Sequence, residues 1–197
     1  RECLGVVEDE VAARRQVDAA RERRADLGVD AGALHQRGLL AVPDDAVGQR
    51  AVDEGVEILN HALRDIPEEQ VRYHHCWGSM NTPHTADPPL REIVPSMLKI
   101  KAQAYVVEAA NPRHEHEWKV WRDVKLPDGK ILIPGLISHQ TNVVEHPELI
   151  AWRIKNFASV VGKENVIGGV DCGFSQYWDS IRVHPSVQWA KLKALVD

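Results

Sequence analysis

The stretch HHCWGSMN at residues 74–81 puts a histidine and a cysteine two positions apart, His74 and Cys76. Imidazole nitrogen and thiolate sulfur are donors that favour zinc over magnesium or calcium. On an extended strand, side chains at i and i+2 point to the same face, so the two donors face one way. Two donors do not enclose a metal. Glu108 ends the apolar run AYVVE, and Cys172 ends NVIGGVDC. A buried glutamate is costly unless it is paired or bound to a metal. His74, Cys76, Glu108 and Cys172 together make a donor set suited to Zn2+. The competing reading of each piece is ordinary core packing, because free cysteine is among the most buried residue types.

The elements that must carry these residues follow from pattern. VEILNHALRDI (56–66) has apolar residues at helical spacing, and VRYHHC (71–76) is short and strand-like. LREIVPSMLKIKA (90–102) has a helical period that Pro95 either kinks or opens as a first turn. AYVVEA (104–109) and ILIPGLIS (131–138) read as strands, the latter after the turn PDGK (127–130). PELIAWRIKNFASVVGK (147–163) reads as a helix with Pro at its start and Gly near its end. NVIGGVDC (165–172) reads as a fourth, buried strand, and PSVQWAKLKALVD (185–197) as a closing helix.

Strand ends at Cys76, Glu108, Ser138 and Cys172 recur in steps of about thirty residues, the size of a βαβ unit. Repeated units of this size predict an α/β fold with a parallel sheet of the (β/α)8 barrel type. Four units occupy residues 70–197, whereas a whole barrel needs eight and roughly 250 residues. In a barrel the functional groups sit at the C-terminal strand ends, so the four donors are expected to converge at one rim.

Residues 1–55 differ in character. They are rich in Ala, Val, Arg and Asp and contain no Phe, Trp, Tyr or Lys. They are expected to be a helical or poorly ordered segment, set apart as out of frame, fused or truncated relative to the unit at 56–197. Across the chain of 197 residues the net charge is −5, which argues against nucleic acid as a partner. No apolar run is long enough to span a membrane, and the N-terminus lacks a signal-peptide pattern. Three scattered cysteines (Cys3, Cys76, Cys172) do not make a disulfide framework, which points to a cytoplasmic protein with reduced thiols.

The succession HHC, VVEAAN and IGGVDCGF, spread over Val56–Asp197, resembles the C-terminal catalytic half of cobalamin-independent methionine synthase. It is most similar to the shorter methionine-synthase-II-like proteins. That resemblance implies a barrel enzyme of methionine biosynthesis, with zinc held by His74, Cys76, Glu108 and Cys172. It implies methyl transfer from 5-methyltetrahydrofolate, in its polyglutamate form, to the thiol of homocysteine. Two related outcomes share the same ligands: alkyl transfer to another thiol such as coenzyme M, and a non-catalytic zinc-binding fragment. The family's acid histidine aligns with Gln140, one residue beyond His139, so His139 becomes the candidate general acid. Trp77 is a candidate for the substrate wall, and packing against the next helix is its equal alternative. A half-barrel would leave open edges that favour self-association.

Two other stretches draw attention. NPRHEHEW (111–118) concentrates His114, Glu115, His116 and Glu117, and is expected to be a solvated helix start. His184, in RVHP, is expected to cap a helix or lie on the surface.

Overall fold

The computed structural model describes residues 46–79, 83–175 and 182–197, with backbone alone at 46–49. Within them four parallel strands form one sheet in sequence order: β1 (Arg72–His75), β2 (Ala104–Val107), β3 (Ile131–Ile137) and β4 (Gly169–Val170). Four helices accompany them: α1 (Ala46–Ala62), α2 (Leu90–Met97), α3 (Pro147–Val161) and α4 (Pro185–Val196). A 3-10 segment, Glu115–Arg122, fills the crossover between β2 and β3. The four expected strands are present, three of them followed by an α-helix and β2 by the 3-10 segment, and the described residues do not close a complete barrel. No helix among them is long and apolar enough to cross a membrane. The expectations for residues 1–45, and for Cys3 among them, lie outside the described residues.

The main core lies between β1–β3 and the elements before β3. Leu90, Ile93, Val94 and Met97 of α2 are buried against Tyr105 and Val107 of β2 and Leu132 of β3. Burying each such side chain contributes about 1.5–3 kcal/mol. The α1 helix joins through Val56 and Leu59, and Leu63 just past its end extends the i, i+3, i+7 stripe. It begins well before the expected Val56 and crosses the compositional boundary at residue 55. Asn60 of α1 clamps the chain after α2: its Nδ2 donates to the Lys99 carbonyl at 2.9 Å and its Oδ1 accepts from Lys101 N at 2.8 Å.

Three expected spans change. The α2 helix stops at Met97 with Pro95 inside it, and Ile100 and Ala102 remain buried without being helical. Only Gly169 and Val170 pair as β4, and both are half-buried, so the predicted buried strand over 165–172 is corrected to a short partly covered one. Its pairing with β3 shifts register between Gly135 and Ile137, and one isolated bridge joins Leu132 to Val166. The glycine pair supplies no side chains to cover, while Gly169 lets Ile133 approach to within 2.9 Å of where a Cβ would stand.

The predicted α3 and α4 match closely, each opening on His-Pro. His146 Nδ1 accepts from Glu148 N at 3.2 Å, and His184 Nδ1 accepts from Ser186 N at 3.2 Å. Both histidines satisfy an otherwise orphaned helix N–H, so His184 is a cap as expected. The α3 helix closes at Gly162, whose φ of 89° suits glycine.

Candidate metal centre

Parallel register brings the strand ends level. His74 lies opposite Val106, and Val106 opposite Ile133. The donors therefore leave the sheet at one edge: Cys76 just after β1, Glu108 just after β2 and Cys172 just after β4. Strand alternation sends His75 towards the core and leaves His74 and Cys76 on the other face. Donor atoms of His74, Cys76 and Cys172 all lie within 4.8 Å of one another. His74 Nε2 is 3.1 Å from Cys172 Sγ, and both cysteines are free thiols.

Glu108 stands beside this trio. Cys172 Sγ donates to its Oε1 at 3.6 Å, and Asn111 Nδ2 donates to its Oε2 at 2.5 Å. The carboxyl is 3% exposed, and among the described residues no Lys or Arg pairs with it. Burial pushes it up to about 8, with the charges of Asp171 and Cys76 adding to the rise. At neutral pH such a carboxyl is protonated, and a bound cation would favour its charged form.

The two thiols titrate in opposite directions. The hydrogen bond with Cys172 pulls Cys76 far below an ordinary thiol, helped by His74 and the Gly78 N–H. The same hydrogen bond, followed by burial, pushes Cys172 up. Two sulfurs, an imidazole and an adjacent buried carboxylate match the donor types of a four-coordinate zinc site. A hollow of about 360 Å³ adjoins the donors, lined by His74, Val170, Cys172, Gly173, Phe174 and Leu192.

His139 is 1% exposed at the end of β3, and its Nε2 is 3.2 Å from Ser79 Oγ. Ser79 also acts on the Cys172 thiol, drawing it down, so His139 neighbours the site through Ser79. Burial holds His139 down at about 4, which leaves it neutral at pH 7. Gln140 follows it, with its N–H donating to Ser138 Oγ at 3.2 Å.

Trp77 packs between two histidines. It stacks on His114 with centroids 3.5 Å apart and meets His75 edge-on at 4.9 Å. Its Nε1 donates to the Pro88 carbonyl at 2.8 Å. The hollow beside His74 is lined by other residues. This stacking also corrects the reading of NPRHEHEW as solvated. His114 and Glu117 are buried, with His114 Nδ1 2.7 Å from Glu117 Oε2. Glu117 Oε1 in turn accepts from Leu90 N at 2.8 Å, at the start of α2. Glu115 pairs with Arg153 at 2.9 Å. Aromatic cover from Trp77 and a helix N-terminus outweigh the polar look of the stretch.

Sequence reasoning passed over Asp171. It is 0% exposed, and its Oδ1 accepts from the N–H groups of both Ala109 and Ala110 at 2.8 Å. Burial pushes its carboxyl up to about 6. The cost of a buried acid, used to single out Glu108, applies equally to the aspartate beside Cys172 and was the signal available.

No family model matches the chain. It is 25% identical over 141 residues to the uncharacterized protein YxjH of Bacillus subtilis strain 168, covering 71% of this chain and 37% of that one. Among solved structures it resembles a B12-independent methionine synthase from Shewanella sp. W3-18-1, determined in complex with selenomethionine. That match has a TM-score of 0.58 and 19% identity, over 75% of this chain and 42% of the other. A Listeria monocytogenes protein assigned as a vitamin-B12-independent methionine synthase matches with a TM-score of 0.53 and 17% identity, over 80% and 43%. The chain spans about two fifths of the length of these relatives. At such identities the likeness is one of fold: the described α/β sheet shares its architecture with part of these larger chains.

Proposed function

We propose that this chain carries the zinc-binding part of a thiol methyltransferase of the cobalamin-independent methionine synthase type. The observation that carries the proposal is the convergence of His74, Cys76 and Cys172 within 4.8 Å, with the buried Glu108 beside them. His74, Cys76, Glu108 and Cys172 would hold the ion, two through sulfur. Bound zinc supplies one thing, a substrate thiol deprotonated at neutral pH, whose ordinary value is near 8.5.

The chain's own groups account for the rest. Two thiolates and a carboxylate make the site anionic, which keeps a bound sulfur electron-rich. The hollow beside His74 and Cys172 is the space for a small thiol, with Phe174 and Leu192 offering apolar walls. With homocysteine as the thiol and 5-methyltetrahydrofolate as donor, an S–CH3 bond forms as the N5–CH3 bond breaks, and N5 takes a proton. His139 is the group proposed to handle that proton, linked towards the site through Ser79. Its neutral state at pH 7 assigns it a relay role, passing on a proton it receives, in place of a standing store of acid.

The solved relative bound to selenomethionine supports the amino-acid side of this reading. The experiment is to load the purified protein with zinc, add homocysteine and follow proton release and methionine formation from the methylated folate. Release of about one proton per site on thiol addition, lost in Cys76→Ser, is the expected result. Zinc-independent proton uptake or release would refute the reading. Turnover with coenzyme M and an epoxide, but none with homocysteine, would redirect it to the related alkyl transfer.

A further inference from the structure

The strand that carries no proposed ligand, β3, lies between the two that carry Glu108 and Cys172. Something must tie β2 and β4 together across it. Asp171 bridges that distance. Its backbone N–H donates to the Ile137 carbonyl at 3.1 Å, which anchors it to the far end of β3. Its side chain lies over Gly135 of β3, where a Cβ would stand 2.1 Å from Oδ1 and 2.6 Å from the Asp171 backbone. Beyond that gap Oδ1 accepts from Ala109 N and Ala110 N, the two residues after Glu108. The register shift between β3 and β4 falls at this same point, between Gly135 and Ile137.

We infer that Asp171 is a positioning residue for the metal centre, a strut that fixes Glu108 relative to Cys172 and passes through a gap in β3 that only Gly135 leaves open. The strut acts on both ends at once. Its main chain adjoins Cys172, and its Oδ1 orients the turn that begins at Glu108. Oδ2 is buried without a hydrogen-bond partner in the described structure. The work is therefore done by Oδ1 as an acceptor, which an asparagine oxygen can replace. Groups that orient a metal's ligands typically change its affinity by about 10–100-fold when removed.

This inference rests on the zinc reading above, and the test separates the two. Zinc affinity is measured by competition with a chromophoric chelator, and the visible bands of the Co2+-substituted protein report the ligand set. Asp171→Ala should bind zinc about 10–100-fold more weakly and shift the cobalt bands as Glu108 leaves its place. Gly135→Ala, which keeps Asp171 but closes the gap, should do the same. Asp171→Asn should stay within about threefold of the parent, with the parent's cobalt spectrum. An Asp171→Ala protein with parental affinity and spectrum overturns the inference, as does an Asp171→Asn protein as weak as Asp171→Ala. Should Asp171→Ala fail to fold, Gly135→Ala decides, and parental affinity there overturns the strut. Cys76→Ser is the control. If it also keeps parental zinc affinity, the metal centre itself is misread; if it loses zinc while the other variants do not, the strut alone fails.

Discussion

Individual side chains divide into those whose chemistry shows in sequence and those whose chemistry depends on neighbours. In the first group stand His74, Cys76, Glu108 and Cys172, expected donors whose placement near strand ends follows from period and spacing. Asp171, Ser79 and His114 belong to the second. Their partners Ala109 and Ala110, His139, and Trp77 lie far away along the chain, and His114 adds a local contact with Glu117 three residues on. His139 gives a prediction at this scale. Its folded value of about 4 lies below the ordinary 6.5, so the unfolded chain takes up a proton first as pH falls. Its stability contribution is intact above about 6.5 and is drawn down as pH drops towards 4. Urea unfolding of the metal-free protein should therefore weaken over that window, and His139→Gln should flatten the loss. An unchanged pH slope in the variant would mean that His139 is already charged in the fold.

Among the elements, α3 and α4 were legible because each opens on Pro, with an apolar period and a closing Gly162 in α3; the period of α4 was a weaker guide, since its buried residues are Lys191 and Ala194. The α1 start and the extent of β4 were not legible. Ala, Gly and Arg at 46–55 carry little apolar contrast, and the glycines at 168–169 look like part of a Val/Ile strand until their pairing is known. The joint between α4 and the loop after β3 was equally hidden. Lys191 of α4 is 0% exposed, and its Nζ donates to Glu145 Oε2 at 2.9 Å. Glu145 Oε1 accepts from Ser138 N at 2.8 Å, just before His139. Breaking a buried pair on one side leaves an uncompensated charge, so Lys191→Met should cost about 3–5 kcal/mol by urea unfolding. Adding Glu145→Gln, which keeps an acceptor for Ser138, should recover most of that loss. A single variant within about 0.5 kcal/mol of the parent would show the pair to be dispensable.

At the scale of the whole molecule, the expected βα rhythm produced the observed parallel order, while barrel closure is not described. Among the described residues β1 and β4 each pair with one neighbour, and Trp152, Trp189 and Val196 are 52%, 72% and 86% exposed. Unpaired strand edges and exposed aromatic surface both favour association. Sedimentation velocity at micromolar protein is expected to show dimers or larger species, and a single monomeric boundary would contradict this. Zinc-edge X-ray absorption of the zinc-loaded protein reads the proposed ligand set itself. Zinc held by His74, Cys76, Glu108 and Cys172 gives two sulfur neighbours at about 2.3 Å and two nitrogen or oxygen neighbours at about 2.0–2.2 Å. A spectrum with one sulfur or none would contradict it.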